Sequence, residues 1–250
     1  MNIVQALDDP RVFRDVIKDH ATWGAWRGFL KALFGLPMDE VEAALFRDCT
    51  GRTTLPTAVF GAAWLVCGRR GGKSFALALI AVFLACFRDY RPHLAMGERA
   101  TVVIVAADRR QARVIFRYIR GIIDAVPALR ALVEGETAEE LRLKTPVNIE
   151  VMTASSRTIR GYAIPVALLD EAAFWSVEGA SDADTDIIGA LRPAMKQFPS
   201  AMLLGASSPY SRRGALWEAY IHGWPGSSST SASQATAVQR RGRCRASIPR

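Results

Sequence analysis

Short apolar runs separated by longer segments dominate the middle of the chain, and this alternation limits the folds that it can adopt. The short runs are almost continuously hydrophobic. Strands that are apolar on both faces are typical of a parallel sheet with helices on both sides. The predicted strands are 62–67, 101–106, 147–152, 166–169 and 201–206, and the predicted long helices are 73–87 and 109–126. The sequence therefore predicts an α/β fold with a mainly parallel sheet and helices on both faces.

The glycine-rich segment between the first predicted strand and the first long helix is the strongest functional signal. It reads Cys67-Gly68-Arg69-Arg70-Gly71-Gly72-Lys73-Ser74. Glycines let the backbone turn so that several N–H groups point at one anion, and the helix N-terminus adds partial positive charge. In a phosphate-binding loop the lysine contacts the β- and γ-phosphates and the serine hydroxyl binds Mg²⁺. We therefore expect residues 68–74 to bind a nucleotide, although Cys67 replaces the usual first glycine. A simple glycine-rich turn before a helix is the alternative.

An acidic pair follows another buried strand. The apolar run 166–169 ends at Asp170 and Glu171. Ligand sites of open α/β sheets lie at this end of the strands. We expect Asp170 to hold Mg²⁺ and Glu171 to activate the attacking water as a general base. Such a glutamate is typical of the additional-strand, catalytic-glutamate (ASCE) class of P-loop ATPases. Taken alone, an Asp-Glu pair after a strand is more often a solvated turn.

Two further features could respond to a terminal phosphate. The last apolar strand ends in Ser207 and Ser208, whose hydroxyls could sense the γ-phosphate, although a plain Ser-Pro turn is the simpler reading of that segment alone. An arginine that neutralises the transferred phosphoryl group accelerates such reactions by about 10³–10⁵-fold. Arg69 and Arg160 are the candidates, and a solvated arginine is the default reading for each.

Composition and charge exclude some classes and leave others open. The four cysteines have no zinc-ligand or CxxC spacing, and the N-terminus has no apolar signal segment. The longest apolar run, 75–87, is too short for a bilayer span, so we expect a cytoplasmic protein. The net charge of +8 falls to +3 when the five arginines after Trp224 are set aside. The helix at 108–120 is basic on one face, which could touch DNA phosphates or be only solvated.

Together these segments resemble the large subunit of phage terminase, the motor that packages DNA. The resemblance covers residues 40–220, and it is specific only in combination. It is carried by GRRGGKS at 68–74, LLDEAAFW at 168–175 and ASSPYSRRGALWEAY at 206–220, with TGR at 50–52 upstream. The second of these looks like the family's Walker B motif, and the third like its coupling motif.

The resemblance implies a function and a set of partners. It implies ATP hydrolysis, with ATP and Mg²⁺ as cofactors, coupled to translocation of double-stranded DNA into a procapsid in a bacterial host cell. The implied partners are DNA, a portal protein, a small terminase subunit and further copies of the chain in a ring. Lys73 and Ser74 would bind phosphate and Mg²⁺, and Ser207 and Ser208 would couple hydrolysis to movement. Arg69 or Arg160 would supply the arginine function.

The chain divides into three predicted parts. A helical N-terminal segment spans 1–55, with helices at 10–36 and from Asp39, and a P-loop ATPase domain spans 56–222. The Ser/Arg-rich segment 223–250 predicts a disordered or frameshifted tail, in place of the nuclease domain with which the family continues. Nuclease activity is therefore not expected. Another DNA-dependent P-loop ATPase, helicase-like in kind, and an inactive truncated remnant are the alternative functions.

Overall fold

An eight-stranded sheet forms the centre of the protein, for which we obtained a computed structural model. The structure describes residues 1–68, 70–154, 159, 161–175, 183–210, 212, 214–223 and 234–238. The strands are β1 Ala62–Val66, β2 Ala100–Ala106, β3 Val133–Glu136, β4 Glu140–Leu143, β5 Val147–Thr153, β6 Ala163–Asp170, β7 Met202–Ser207 and β8 Gln234–Val238. Their order in the sheet is β3-β4-β5-β2-β6-β7-β1-β8. All neighbours are parallel except the pairs β3–β4 and β4–β5, so the predicted mainly parallel α/β sheet is confirmed.

Helices cover both faces of this sheet. They are α1 Ile3–Asp8, α2 Gly24–Leu33, α3 Glu40–Thr50, α4 Lys73–Phe87, α5 Arg109–Ala125, α6 Pro127–Arg130, α7 Ala183–Met195 and α8 Ala215–Gly223. Alternate residues of β2 enter two different cores: Val102 and Ile104 face α4 and α5, whereas Val103 and Val105 face the α7 side. This two-sided burial explains why the strand is apolar at every position. None of the described helices is long and apolar enough to cross a membrane.

Helix α4 is apolar around its whole circumference because it is covered on both sides. Residues 76–85 of this helix are all buried. The sheet lies on one side, and the N-terminal helices pack on the other, with Phe34 at 5.6 Å from Phe83 in an edge-to-face contact. A helix without a polar face has to be enclosed in this way. The N-terminal segment therefore shares one core with the sheet.

The prediction of one continuous helix over residues 10–36 was wrong. The chain forms α1, two short 3₁₀ turns at Arg14–Val16 and His20–Trp23, and then α2. Pro10 follows the end of α1, where its ring disfavours continuation of the helix. The Asp19 carboxylate accepts from the Ala21 amide and starts the second turn. The next predicted helix is present as α3, which Asp39 and Glu42 begin through reciprocal backbone hydrogen bonds.

Three strands differ from their sequence-based description. Strand β6 begins at Ala163 and not at Val166. Pro165, which has no N–H, is tolerated within it because it lies at an irregularity in the pairing with β2. The hairpin β3–β4, which no sequence signal pointed to, extends the sheet beyond β5.

Part of the segment predicted as a disordered tail is a strand. Residues 234–238 form β8, which pairs in parallel with β1 from Ala62 to Val66. The segment QATAV contains the β-branched residues Thr236 and Val238, which favour strands, and backbone pairing with an open sheet edge does not depend on a large apolar surface. The rest of the predicted tail, 224–233 and 239–250, lies outside the described residues.

Gly205 leads to a prediction about packing between β7 and β1. A Cβ at this position would lie 2.3 Å from the Trp64 ring of the neighbouring strand, which is itself buried. We expect Gly205→Ala to destabilise the chain by about 1–3 kcal/mol through overpacking, which lowers Tm by several degrees. Thermal unfolding measures this shift. Gly189→Ala on α7 is the matched control, because its Cβ would meet no atom within 4 Å. An equal Tm for both variants would contradict the close contact.

Candidate nucleotide-binding site

The loop between β1 and α4 has a backbone that only certain residues can adopt. Gly72, which caps α4, has φ 82°, and Arg70 also has a positive φ of 62°. A Cβ on Gly71 would lie 3.2 Å from the Gly68 carbonyl oxygen, tighter than most real contacts. No side chain caps the N-terminus of α4. The first amides of this 15-residue helix therefore stay available to an anion, with the helix dipole favouring negative charge.

Lys73 lies at the centre of a buried polar cluster. Its side chain is only 6 % exposed, and its Nζ lies 3.2 Å from Glu171 Oε1 and donates to Ser208 Oγ at 3.0 Å. It also donates to the carbonyl oxygens of Cys67 and Gly68, at 3.4 and 3.3 Å. A buried ammonium needs such partners. These contacts join the ends of three strands, β1, β6 and β7, at one point.

The Glu171 carboxylate is held from two sides. Its Oε2 accepts from the Ser208 backbone amide at 2.8 Å and from Ser207 Oγ at 3.1 Å, while Lys73 faces its Oε1. Glu171 itself has φ 50°, a left-handed conformation that is uncommon for a residue other than glycine. Its amide donates to the Ala206 carbonyl oxygen at 2.8 Å, which fixes this turn. The carboxylate is thus a positioned group with its lone pairs engaged by donors.

Asp170 is the other acidic residue of the site, and it is less well paired. It is 4 % exposed, and its Oδ1 is buried without a hydrogen-bond partner among the described residues. Burial and, secondarily, the charge of Glu171 raise the pKa of Asp170 to about 7, against the opposing effect of Lys73. Trp175 Nε1 donates to the Asp170 backbone carbonyl at 3.0 Å and holds this strand end in place. An unpaired carboxylate oxygen of this kind is suited to a cation ligand.

An open cleft of about 580 Å³ lies in front of this cluster. Its walls come from the glycine-rich loop, the first turn of α4, one face of α5 and the turn after β6. The lining residues are Arg70, Gly71, Gly72, Lys73, Ser74, Phe75, Gln111, Val114, Tyr118, Glu171 and Phe174. The volume falls within the range of small-molecule sites in proteins. The loop and the acidic turn, which are distant in sequence, thus face one cavity.

Sequence reasoning missed the contribution of α5 and the aromatic residues. Gln111 lies in the first turn of α5, and its Oε1 is buried without a hydrogen-bond partner. Tyr118 contacts Phe75 edge to face at 5.6 Å. The position of Gln111 just after β2 was the available signal, because this strand also ends at the edge where β6 ends.

The N-terminal segment reaches the loop through tryptophans. Trp23 contacts Phe75 at 5.6 Å, and Trp26, which is 7 % exposed, lies beside Gly72. A Cβ on Gly72 would come within 3.3 Å of Trp26 Nε1. These contacts pack the aromatics of the N-terminal segment onto the loop and the start of α4.

The predicted site residues divide into three groups. The structure brings Lys73, Asp170, Glu171, Ser207 and Ser208 together. The loop residues Arg70, Gly71, Gly72 and Ser74 border the same cleft, and Gly68 contacts Lys73. Arg69 and Arg160, the two candidate arginines, lie outside the described residues.

The fold and this site define a P-loop NTPase fold of the additional-strand type. The loop follows β1, the acidic turn follows β6, and the additional strand β7 lies between them in the sheet. Solved structures share this fold. The ATPase domain of the large terminase of Thermus phage P74-26 matches with a TM-score of 0.57 and 19% identity, over 84% of each chain.

A second similar structure is longer than this chain. The large terminase of bacteriophage HK97 matches with a TM-score of 0.51 and 19% identity, over 74% of this chain but only 41% of its own. The chain therefore spans less than half the length of that protein. No protein-family model and no curated protein sequence matches this chain. At these identities the likeness establishes the fold, which is that of phage large-terminase ATPase domains.

The raised pKa of Asp170 predicts how stability depends on pH. An unfolded chain loses this proton near pH 3.8, whereas the native carboxyl keeps it until about pH 7. Between these values the native state binds more protons, so the free energy of unfolding contributed by this group decreases as pH rises. Asp170→Asn removes the effect. We expect the free energy of unfolding of the metal-free variant to exceed that of the wild type at pH 8 by about 2–4 kcal/mol, at ~1.4 kcal/mol per pKa unit.

Urea unfolding in a chelator, at pH 5 and pH 8, measures this difference. The gain should shrink at pH 5, where native Asp170 is already protonated in the wild type. Asp186→Asn on the exposed side of α7 is the control and should show no such trend. A gain for Asp170→Asn that is the same at both pH values would disprove the assigned cause.

Proposed function

We propose that this chain hydrolyses ATP with Mg²⁺ and couples turnover to translocation of double-stranded DNA, as the large terminase subunit of a phage packaging motor does. The observation that carries the proposal is the contact of Lys73 with Glu171 and Ser208 beside an uncapped helix N-terminus. Phosphate, a catalytic carboxylate and a sensing hydroxyl are the three things that such a site has to bring together. The shared fold of terminase ATPase domains supports the same reading.

The triphosphate binds at the glycine-rich loop. The amides of the loop and of the first turn of α4 contact the phosphate oxygens, and Lys73 contacts the β- and γ-phosphates. Lys73 is held by Glu171 and Ser208 in the structure, so the arriving phosphate exchanges with these partners. The ammonium thereby moves from one anionic partner to another and is never left buried alone, which would be costly.

The residues present fit a Mg²⁺ ion. Asp170 offers the buried oxygen that lacks a partner, and Ser74 lies at the start of α4 on the wall of the cleft. Among the described residues no cluster of three or more acidic, histidine or cysteine side chains could hold a metal without the nucleotide. Mg²⁺ in such enzymes is bound by few protein groups together with the phosphates. When bound, the ion neutralises charge on the phosphates.

Glu171 acts as the general base. Its carboxylate is fixed by Ser207 and by the amide of Ser208, so it is oriented before a substrate arrives. When a phosphate binds Lys73, the carboxylate is released from the ammonium and can face the attacking water. It then accepts the proton of the water that attacks the γ-phosphate.

Ser207 and Ser208 couple the state of the nucleotide to the rest of the domain. They contact Glu171 and Lys73 on one side, and they lead on the other side into the segment before α8. The carboxylate of Asp184, in α7, accepts from the Ala215 amide at the start of α8. Loss of the γ-phosphate changes the contacts of the two serines, and this linkage passes the change to α7 and α8.

Further groups and partners complete the proposal. Arg69 or Arg160 neutralises charge on the transferred phosphoryl group, in the same subunit or in a neighbouring one of a homo-oligomeric ring. Double-stranded DNA, a portal protein and a small terminase subunit are the proposed partners, and the bacterial host cytoplasm is the proposed location.

Two substitutions test the ATPase mechanism. We expect Glu171→Gln to lower kcat by about 10²–10⁴-fold, because the amide cannot take the proton, while nucleotide binding persists. We expect Lys73→Ala to weaken binding of a fluorescent ATP analogue and to abolish turnover. Phosphate release with and without duplex DNA measures both variants. An inactive remnant would bind ATP without turnover in the wild type.

Exposed residues of the same types provide the controls. Glu40→Gln and Lys196→Ala make the same chemical changes on the surface, away from the cleft. Both should turn over ATP at the wild-type rate. If Glu171→Gln hydrolyses ATP as fast as Glu40→Gln does, Glu171 is not the base.

A further inference from the structure

Helix α5 presents three different faces. One is buried in the core through Ala112, Ile115 and Ile119. The second lines the nucleotide cleft with Gln111, Val114 and Tyr118. The third is exposed and carries Arg110, Arg113 and Arg117, which we call the arginine face. At 100° per residue this face lies directly next to the cleft-lining one.

The side chains of Arg110, Arg113 and Arg117 form no hydrogen bond or ion pair with other described residues. Two arginines elsewhere in the described chain do have acidic partners, Arg91 with Asp89 and Arg120 with Glu136. Like charges three and four residues apart destabilise a helix. Three adjacent guanidinium groups without counter-charges therefore destabilise the helix in the free protein. A bound polyanion would neutralise them and remove this destabilisation.

We infer that the arginine face binds the phosphate backbone of duplex DNA. Three residues spread over two helical turns extend about 10 Å along the helix. One DNA strand carries a phosphate for every ~3.4 Å of the helix axis, so this row matches two or three successive phosphates. A small phosphate ligand would instead need donors that converge on one point. Guanidinium groups bind phosphates through paired N–H groups, which suits this role.

The location of the face connects DNA to turnover, and this step rests on the proposed function. The helix that holds the DNA also supplies a wall of the nucleotide cleft, and Tyr118 packs on Phe75, two residues after Lys73. A shift of α5 on the DNA thus moves a wall of the ATP site. The three arginines do not contribute equally. Arg113 borders a small cavity with Glu139 and Glu150, so its substitution should weaken DNA binding least.

Binding to a labelled DNA duplex, measured by fluorescence anisotropy without nucleotide, tests the inference. The test variant is Arg110→Gln/Arg113→Gln/Arg117→Gln, since glutamine and arginine have similar helix propensities. The control variant is Arg11→Gln/Lys18→Gln/Arg91→Gln, which removes the same charge from exposed positions elsewhere. The five arginines after Trp224 are present in every variant, so their contribution cancels.

We expect the test variant to lower the slope of log affinity against log salt by about 1.8–2.7, at ~0.9 per lost phosphate contact and less for Arg113. The control variant should keep the wild-type slope. Equal slopes for both variants, or no binding of duplex by the wild type, would overturn the inference. Equal wild-type affinity for single strands would overturn the choice of duplex.

Single substitutions keep the inference testable if the triple variant is unstable. Arg110→Gln and Arg117→Gln should each lower the slope by about 0.9, and Arg113→Gln by less. No ATP is present in this measurement, so a chain without ATPase activity can still pass it. Conversely, if the wild type is an active ATPase and its DNA affinity is unchanged by these substitutions, the inference is refuted but the proposed function is not.

Discussion

The ion pair between Lys73 and Glu171 is the contact on which the arrangement of the site depends. An ammonium and a carboxylate that are largely removed from water are stable only together and with further hydrogen bonds. Those bonds come from Ser207 and Ser208, at the end of the strand that separates β1 from β6. The pair therefore requires the parallel register of three strands, so the site forms only when the sheet has formed.

Backbone strain is concentrated at the same place. Arg70 and Glu171, the two described residues other than glycine with positive φ, both line the cleft. Each such conformation costs on the order of 1–3 kcal/mol and persists only where its surroundings hold it. The amide of Glu171 bonded to Ala206 and its carboxylate bonded to two serines supply that support. These hydrogen bonds thus hold the strained backbone of the site in place before a ligand binds.

The N-terminal segment is part of this preparation. Sequence patterns describe it as a separate helical piece, but Phe34 packs on α4 and Trp26 lies against the Gly72 turn. The fully apolar character of α4 was the clue, since a helix of that kind needs cover on every side.

Local patterns in the sequence determined the five central strands, the helices α4 and α5, and the chemistry of the loop and acidic turn, because each depends on neighbours within about a dozen residues. The apolar runs 62–67, 166–169 and 201–206 already indicated three strand ends that are followed by functional side chains. Only the tertiary structure decided that β7 lies between the other two, that Gln111 and Tyr118 border the cleft, and that the arginine face of α5 has no acidic partners in the described chain. These features depend on contacts between segments far apart in sequence, and strand order leaves no mark on the periodicity of any single strand.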